Sequence, residues 1–172
     1  MNRARGLSML LVSLLWGCGS LPQTPAEHRE AAKSGRTFFR SDSFEVKRPL
    51  AEVARTFQKK APECLSFSMA TTTRPNIGFG STTNVWGKTK QTVLASANRA
   101  ELHFQAKIKG QVGEEPEDGV YYMVADAYPV GKDRTRVDMY WITRVDLLAQ
   151  AIRGWASGEN LGCPDPTKLF PG

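Results

Sequence analysis

The sequence contains little of the chemistry from which most protein sites are built. Its 172 residues include three cysteines and two histidines, too few for a dense disulfide scaffold, a zinc finger or a His-rich metal site. It has no Cys-x-x-Cys motif, the usual signature of a redox site. With 41% hydrophobic and 23% charged residues, the composition excludes collagen-like, wholly disordered and multi-span membrane chains. The length is that of one domain with a tail.

Catalytic motifs are also scarce. Gly87-Lys88-Thr89 looks like the end of a phosphate-binding loop, but that motif requires a glycine where Thr82 stands. Glu101 and His103 share one face of a predicted strand and could exchange a proton, yet no nucleophile is evident beside them. We therefore predict a protein without catalysis, cofactor or metal.

The one long apolar run lies at the N-terminus. Arg3 and Arg5 precede residues 7–16, which are almost all apolar. A run of about ten residues is too short to span roughly 30 Å of hydrocarbon as a helix, and it is typical of a signal peptide. The run ends at Leu15-Trp16-Gly17-Cys18.

This ending resembles the lipobox of bacterial lipoproteins, in which an aliphatic residue and two small residues precede a cysteine. Trp16 departs from the pattern, because a small residue is usual there. The resemblance implies cleavage of residues 1–17 and lipidation of Cys18, and two or more acyl chains hold a protein stably on a membrane. Because Gly19 is not aspartate, it also implies the outer membrane, facing the periplasm. An ordinary cleaved signal or an uncleaved anchor is the alternative.

The net charge does not indicate a nucleic-acid partner. The formal charge is +6, and removing Arg3 and Arg5 with residues 1–17 lowers it by two, to +4. Five cations nevertheless cluster around the first long predicted helix. They could contact anionic lipid headgroups or acidic glycans, although a solvated helix face is the simpler interpretation. They are Lys47, Arg48, Arg55, Lys59 and Lys60.

Two cysteines remain if Cys18 carries lipid. Cys64 and Cys163 in an oxidising compartment most simply form a disulfide. The bridge would close a loop of about 100 residues, for which the chain-entropy model gives at most roughly 4.7 kcal/mol. Two buried thiols or a redox-active cysteine are the alternatives.

The chain divides into three predicted segments. Residues 1–17 form the signal peptide, residues 18–38 a lipidated N-terminus and flexible tether, and residues 39–172 a single domain. The tether is predicted from its polar composition, which leaves His28 solvated and offers too few apolar residues for packing.

Within the domain, hydrophobic periodicity predicts a strand, a helix, four or five strands and a second helix. The first helix ends or bends at Pro62, with Cys64 just beyond it. The second begins at a capping box, Thr143 to Asp146, and stops at Gly158. We expect an α+β fold, with an antiparallel sheet of about five or six strands and both helices packed on one face.

The strands predicted at 119–128 and 135–142 are apolar on both faces, so part of each face must be covered. Asp126 and Asp138 stand in these strands and are expected to pair with Arg134, Arg136 or Arg144. The order of elements resembles the helix-grip and START-like domains of lipid carriers, in topology only. A candidate face for a ligand or partner combines the glycine-rich loop Gly78-Phe79-Gly80-Ser81 with the second face of the sheet. Its members are Phe79, Trp86, Tyr121, Met123 and Tyr140.

These features predict a lipid-anchored periplasmic accessory protein that binds an envelope protein or a cell-wall component. The alternative is a binding module for a lipid or another apolar ligand, held in a helix-grip-like pocket. A deep enclosed pocket would favour the binding module. A flat apolar patch would favour the accessory protein.

Overall fold

A computed structural model describes residues 21–73, 83–109 and 115–169. These residues form an α+β fold, as predicted, built on one six-stranded antiparallel sheet. None of the described helices is long and apolar enough to cross a membrane. In chain order the elements are α1 (Pro25–Lys33), β1 (Phe39–Val46), α2 (Leu50–Leu65), β2 (Ser68–Thr73), β3 (Thr83–Ala95), β4 (Ala100–Ile108), β5 (Val120–Pro129), β6 (Thr135–Ile142), a 3-10 turn (Thr143–Val145), α3 (Asp146–Ser157) and α4 (Pro166–Leu169).

The sheet has the strand order β1-β6-β5-β4-β3-β2. Strands β2 to β6 pair with their neighbours in sequence, and tight turns make this possible. The amide of Ser96 donates to the carbonyl of Arg99 at 2.8 Å, and that of Val130 donates to Arg134 at 2.8 Å. Strand β1 pairs with β6 instead, so the first and last strands lie side by side.

Helices α2 and α3 cover one face of the sheet, which holds the main core. Their apolar residues recur at helical spacing, so each helix buries a single stripe. Phe57 of α2 and Trp155 of α3 are fully buried against Leu102 and Phe104 of β4 and their neighbours. Each such side chain contributes about 1.5–3 kcal/mol by leaving water.

Helix α2 runs through Pro62, where the sequence predicted an end or a bend. Pro62 has no amide hydrogen and cannot donate to the carbonyl one turn earlier. The helix nevertheless continues to Leu65, because Cys64 and Leu65 are buried in the main core. Cys64 is bonded to Cys163, with 4.9 Å between their Cα atoms. The disulfide therefore joins the last turn of α2 to the segment that follows α3.

Helix α3 begins differently from the prediction and ends as predicted. The prediction of a capping box from Thr143 to Asp146 is wrong, because residues 143–145 form a 3-10 turn without a side-chain cap. The Asp146 carboxylate accepts instead from the Trp141 indole N–H, at 2.6 Å. Gly158 closes the helix in the left-handed conformation, with φ of 84°.

A bulge between β4 and β5 changes which face several side chains occupy. Phe104 pairs with Met123 and Gln105 pairs with Tyr121, so Tyr122 is the extra residue between the two pairs. The alternation of β5 shifts by one residue at this point. Met123 was assigned to the candidate ligand or partner face, and this assignment is wrong: its fully buried side chain lies in the main core.

Helix α1 packs on the opposite face of the sheet, against β1, β5 and β6. The prediction of a flexible tether through residue 38 is therefore wrong for this segment. The Thr24 hydroxyl accepts from the amide of Glu27 at 3.2 Å and caps the helix. Ala31 and Ala32 are buried, and their small side chains allow the helix to lie close to the strands. His28, predicted to be solvated, is fully buried.

Candidate functional site

The most unusual group of side chains in the described residues lies between α1 and the sheet. Four elements contribute to it: α1, the turn before β4, β4 itself and β5. We call this group the charged cluster. It consists of His28, Arg29, Arg99, Glu101, His103 and Asp126.

Two carboxylates form the centre of the charged cluster. Glu101 and Asp126 stand directly opposite one another in the β4–β5 register. Like charges in this position destabilise a sheet unless cations neutralise them. Arg29 and Arg99 provide the two compensating charges, so the ion pairs balance.

Asp126 is the most deeply buried of these charged groups, with a side chain only 1% exposed. Arg29 donates two hydrogen bonds to the Asp126 carboxylate, from Nε to Oδ2 at 2.7 Å and from Nη2 to Oδ1 at 2.8 Å. Arg99 adds a third, from Nη2 to Oδ1 at 3.0 Å. Paired, charge-assisted bonds of this kind are strong and geometrically specific. They determine how α1 sits on the sheet.

Glu101 connects the arginines to His103. Its carboxylate accepts from Arg29 Nη2 at 2.5 Å and lies 3.2 Å from Arg99 Nη1. His103 Nε2 lies 3.0 Å from Glu101 Oε2. Burial alone would raise the pKa of Glu101, but the hydrogen bonds from His103 and Arg29, with the Arg99 charge, hold it below its usual value. Glu101 is therefore a carboxylate at neutral pH.

His28 is the fully buried histidine of the charged cluster. Its Nε2 lies 3.2 Å from the backbone carbonyl of Tyr140. Because a carbonyl only accepts, we assign the proton to Nε2. Burial lowers the pKa of His28 from 6.5 to about 4; the Tyr140 carbonyl opposes this shift, while the charges of Arg29 and His103 add to it. His28 is therefore neutral at pH 7.

The Glu101 carboxylate contacts His103 and both arginines of the charged cluster. The pair predicted from Glu101 and His103 does form, but Arg29 and Arg99 already occupy the carboxylate. Among the described residues, no serine, threonine or cysteine hydrogen-bonds either imidazole. The same residues contain no group of three histidine, cysteine or acidic side chains placed to hold a metal ion.

The structure brings two of the predicted ligand-face residues together beneath α1. Tyr121 is half-buried, with its ring centroid 6.4 Å from that of His28 and 6.1 Å from that of His103. Tyr140 is buried, and the Lys33 ammonium lies 5.6 Å from its ring centroid. These two residues form part of the surface that α1 covers.

The other predicted site residues are not brought to this place. Met123 lies in the main core. Trp86 pairs with Ala70 through its backbone, and its side chain lies outside the described part of the chain. Phe79 and Cys18 also lie outside the described residues.

The arginines predicted to pair with Asp126 and Asp138 were Arg134, Arg136 and Arg144. Asp138 does lie 3.3 Å from Arg136 Nη2, but Arg29 and Arg99 bind Asp126 instead. The sequence did contain a local signal for α1, the helix that carries Arg29. Thr24, Pro25 and Glu27 have the spacing of a helix start, and the apolar second face of the sheet required a cover.

Comparison with known proteins supplies no relative. No known protein family and no curated protein matches this chain. The charged cluster, α1 and the surrounding surface are therefore the basis for a functional assignment.

Proposed function

We propose that the protein is a lipid-anchored periplasmic accessory protein. In this proposal residues 1–17 are removed, Cys18 carries lipid in the outer membrane, and the domain binds an envelope protein or a cell-wall component without catalysis. The observation that carries the proposal is the docking of α1. This helix begins seven residues after Cys18 and is held on the sheet by the charged cluster.

The short connection determines where the domain would lie. Seven residues reach at most about 25 Å when fully extended. Because α1 is packed rather than loose, only this short piece separates a lipidated Cys18 from a rigid domain. The domain would therefore be presented close to the membrane surface in a restricted set of orientations. Such presentation suits a protein that meets a partner at the membrane.

The coverage of both sheet faces argues against the alternative of a lipid carrier. Ala32 of α1 packs with Val124 and Tyr140 on one face, and α2 and α3 cover the other. An apolar ligand on the second face would have to displace α1. That movement would break the ion pairs of Asp126, a cost of several kcal/mol for a buried carboxylate.

The anchoring part of the proposal is tested by envelope fractionation of the wild type and Cys18→Ala. We expect the wild type to fractionate with the outer membrane, with a mass that matches loss of residues 1–17 plus acyl chains. Cys18→Ala should lack the acyl mass and leave the membrane fraction. Ser20→Ala is the matched control and should behave like the wild type. A Cys18→Ala protein that is processed and fractionated normally would refute the anchor.

The binding part is tested by chemical crosslinking in the native envelope, followed by mass spectrometry of proteins, glycans and lipids. A stoichiometric protein partner or a wall fragment supports the accessory role. Stoichiometric lipid without either partner would instead support the carrier, and would predict that Asp126→Ala increases lipid loading by loosening α1.

A further inference from the structure

A polar groove lies on the side of the sheet opposite α1. It has a volume of about 370 Å³ and runs between α2 and the segment that follows α3. We call it the basic groove. Four cations line it, together with two carboxylates, and Thr56 and Asn160 add a hydroxyl and an amide. The charged members are Arg48, Arg55, Lys59, Lys60, Glu52 and Glu159.

Two of the four cations are already used by the fold. Arg48 Nη1 donates to the carbonyls of Trp155 at 3.1 Å and Ala156 at 3.0 Å. These carbonyls lie in the last turn of α3, where that of Trp155 also accepts from the Gly158 amide at 3.1 Å, and Arg48 helps to hold that end in place. The Lys60 ammonium lies 3.8 Å from the carboxylate of Glu63.

The other two cations, Arg55 and Lys59, are not engaged in ion pairs within the described residues. Arg55 and Lys59 lie four residues apart, and therefore on the same side of α2. Both are exposed, and within the described residues neither makes an ion pair. The groove thus combines the charges of Arg55 and Lys59 with the Asn160 amide and two carboxylates, of which Glu52 also lies 3.3 Å from Arg48 Nε.

From this combination we infer that the basic groove binds an acidic glycan, a sugar polymer with carboxylate groups. Arg55 and Lys59 would pair with a carboxylate of the glycan, and arginine suits this planar group. Glu52 and Glu159 would accept from sugar hydroxyls, while Asn160 can both donate and accept. The volume lies within the range of small-molecule sites, which is enough for one or two sugar rings.

An anionic membrane surface fits these observations less well. A glycan offers hydroxyl groups that can donate to Glu52 and Glu159, whereas a layer of phosphates offers these carboxylates only further acceptors.

The inference rests on the proposed function only for the compartment, since it specifies the class of cell-wall component that the domain would bind. Glycan binding can be measured in solution and does not require Cys18 to be lipidated. A failure of glycan binding and a failure of membrane anchoring are therefore separate results.

The test uses the full-length protein in a neutral detergent and isothermal titration with polygalacturonate, with neutral dextran as the control ligand. We expect binding of polygalacturonate but not of dextran. The double variant Arg55→Gln/Lys59→Gln should weaken binding at least tenfold. Both side chains are exposed, and Arg55 Nε donates within α2 to the Ala51 carbonyl at 3.4 Å, so thermal unfolding of the variant should match that of the wild type.

The matched control is Lys132→Gln/Arg144→Gln, which removes the same charge. Both residues are exposed and make no ion pair in the described part of the chain. Arg144 lies at the other end of α3, which is about 18 Å long. The control should keep its affinity within twofold of the wild type.

Three results would overturn the inference. The first is that the wild type binds polygalacturonate no better than dextran. The second is that the control variant loses as much affinity as the groove variant, because net charge alone would then explain binding. The third is tighter binding to phosphatidylglycerol vesicles through Arg55 and Lys59, which would identify a membrane as the partner.

Discussion

Lowering the pH from 7 to 5 should destabilise this domain, and His28 should account for most of the loss. Its imidazole is fully buried between α1 and the sheet, and it binds the Tyr140 carbonyl. Burial lowers its pKa to about 4. In the unfolded chain the same group is solvated and has a pKa near 6.5.

The direction in which the free energy of unfolding changes with pH follows from how many protons the folded and unfolded states bind. Above pH 6.5 His28 is neutral in both states and the domain keeps its full stability. Between pH 6.5 and pH 4 the unfolded chain binds a proton that the folded domain does not, so the free energy of unfolding falls as the pH falls. The slope is about 1.4 kcal/mol per pH unit, which gives about 2 kcal/mol between pH 7 and pH 5.

Urea denaturation at pH 7 and pH 5, followed by tryptophan fluorescence, measures this loss. For a domain of this size a change of about 2 kcal/mol lowers the midpoint by roughly 1 M. His28→Gln should be less stable at pH 7 but should lose little more at pH 5. His103→Gln removes the other histidine and is the matched control, which should keep most of the wild-type loss.

Two results would refute this reasoning. One is a wild-type midpoint that does not change between pH 7 and pH 5. The other is a His28→Gln variant whose loss equals that of the wild type, because the titrating group would then be elsewhere. Titration of the ring protons of His28 by NMR provides an independent value for its pKa.

Two other perturbations test the contacts that hold the fold together. Asp126→Ala leaves the buried ends of Arg29 and Arg99 without their shared carboxylate, and should lower the free energy of unfolding by about 3–5 kcal/mol in urea denaturation; a loss below about 1 kcal/mol would contradict the role of the charged cluster. Cys163→Ser opens the disulfide to Cys64 at its exposed end and should cost at most about 4.7 kcal/mol, so the wild type treated with reductant should unfold at the same urea concentration as the variant, and different midpoints would contradict this explanation.

The parts of the fold that were predicted correctly depend on short-range patterns. In β4, Leu102 and Phe104 alternate with polar residues, and both enter the main core. The left-handed Gly158 ends α3 where a glycine was expected to. Such patterns are readable because neighbours within a turn or a strand determine them.

The errors arise where distant contacts override a local preference. Pro62 normally ends a helix, yet the burial of Cys64 and Leu65 carries α2 past it. The bulge between β4 and β5 places Met123 on the main-core face. A sequence pattern that alternates every second residue does not reveal such an extra residue, because the alternation continues after it with the two faces exchanged.

Helix α1 illustrates both cases in one segment. Its start was readable in Thr24 and Glu27, which have capping-box spacing. The docking of α1 on the sheet could not be predicted from the sequence, because Arg29 binds Asp126, which lies 97 residues away in the chain. Low hydrophobicity suggested a tether, but buried ion pairs and small alanines hold the helix where large apolar side chains are few.

The sequence by itself determined the class of fold and the positions of most strands and of the two long helices, and it predicted the bond between Cys64 and Cys163 on the premise that Cys18 carries lipid. Periodicity, turn residues and composition act over a few neighbouring positions, so they are legible without a structure. Only the tertiary structure decided that α1 covers the second face of the sheet, that Arg29 and Arg99 share Asp126, and that Arg55 and Lys59 line one groove without an ion pair among the described residues. These are contacts between residues distant in sequence, and burial and charge balance in three dimensions select them.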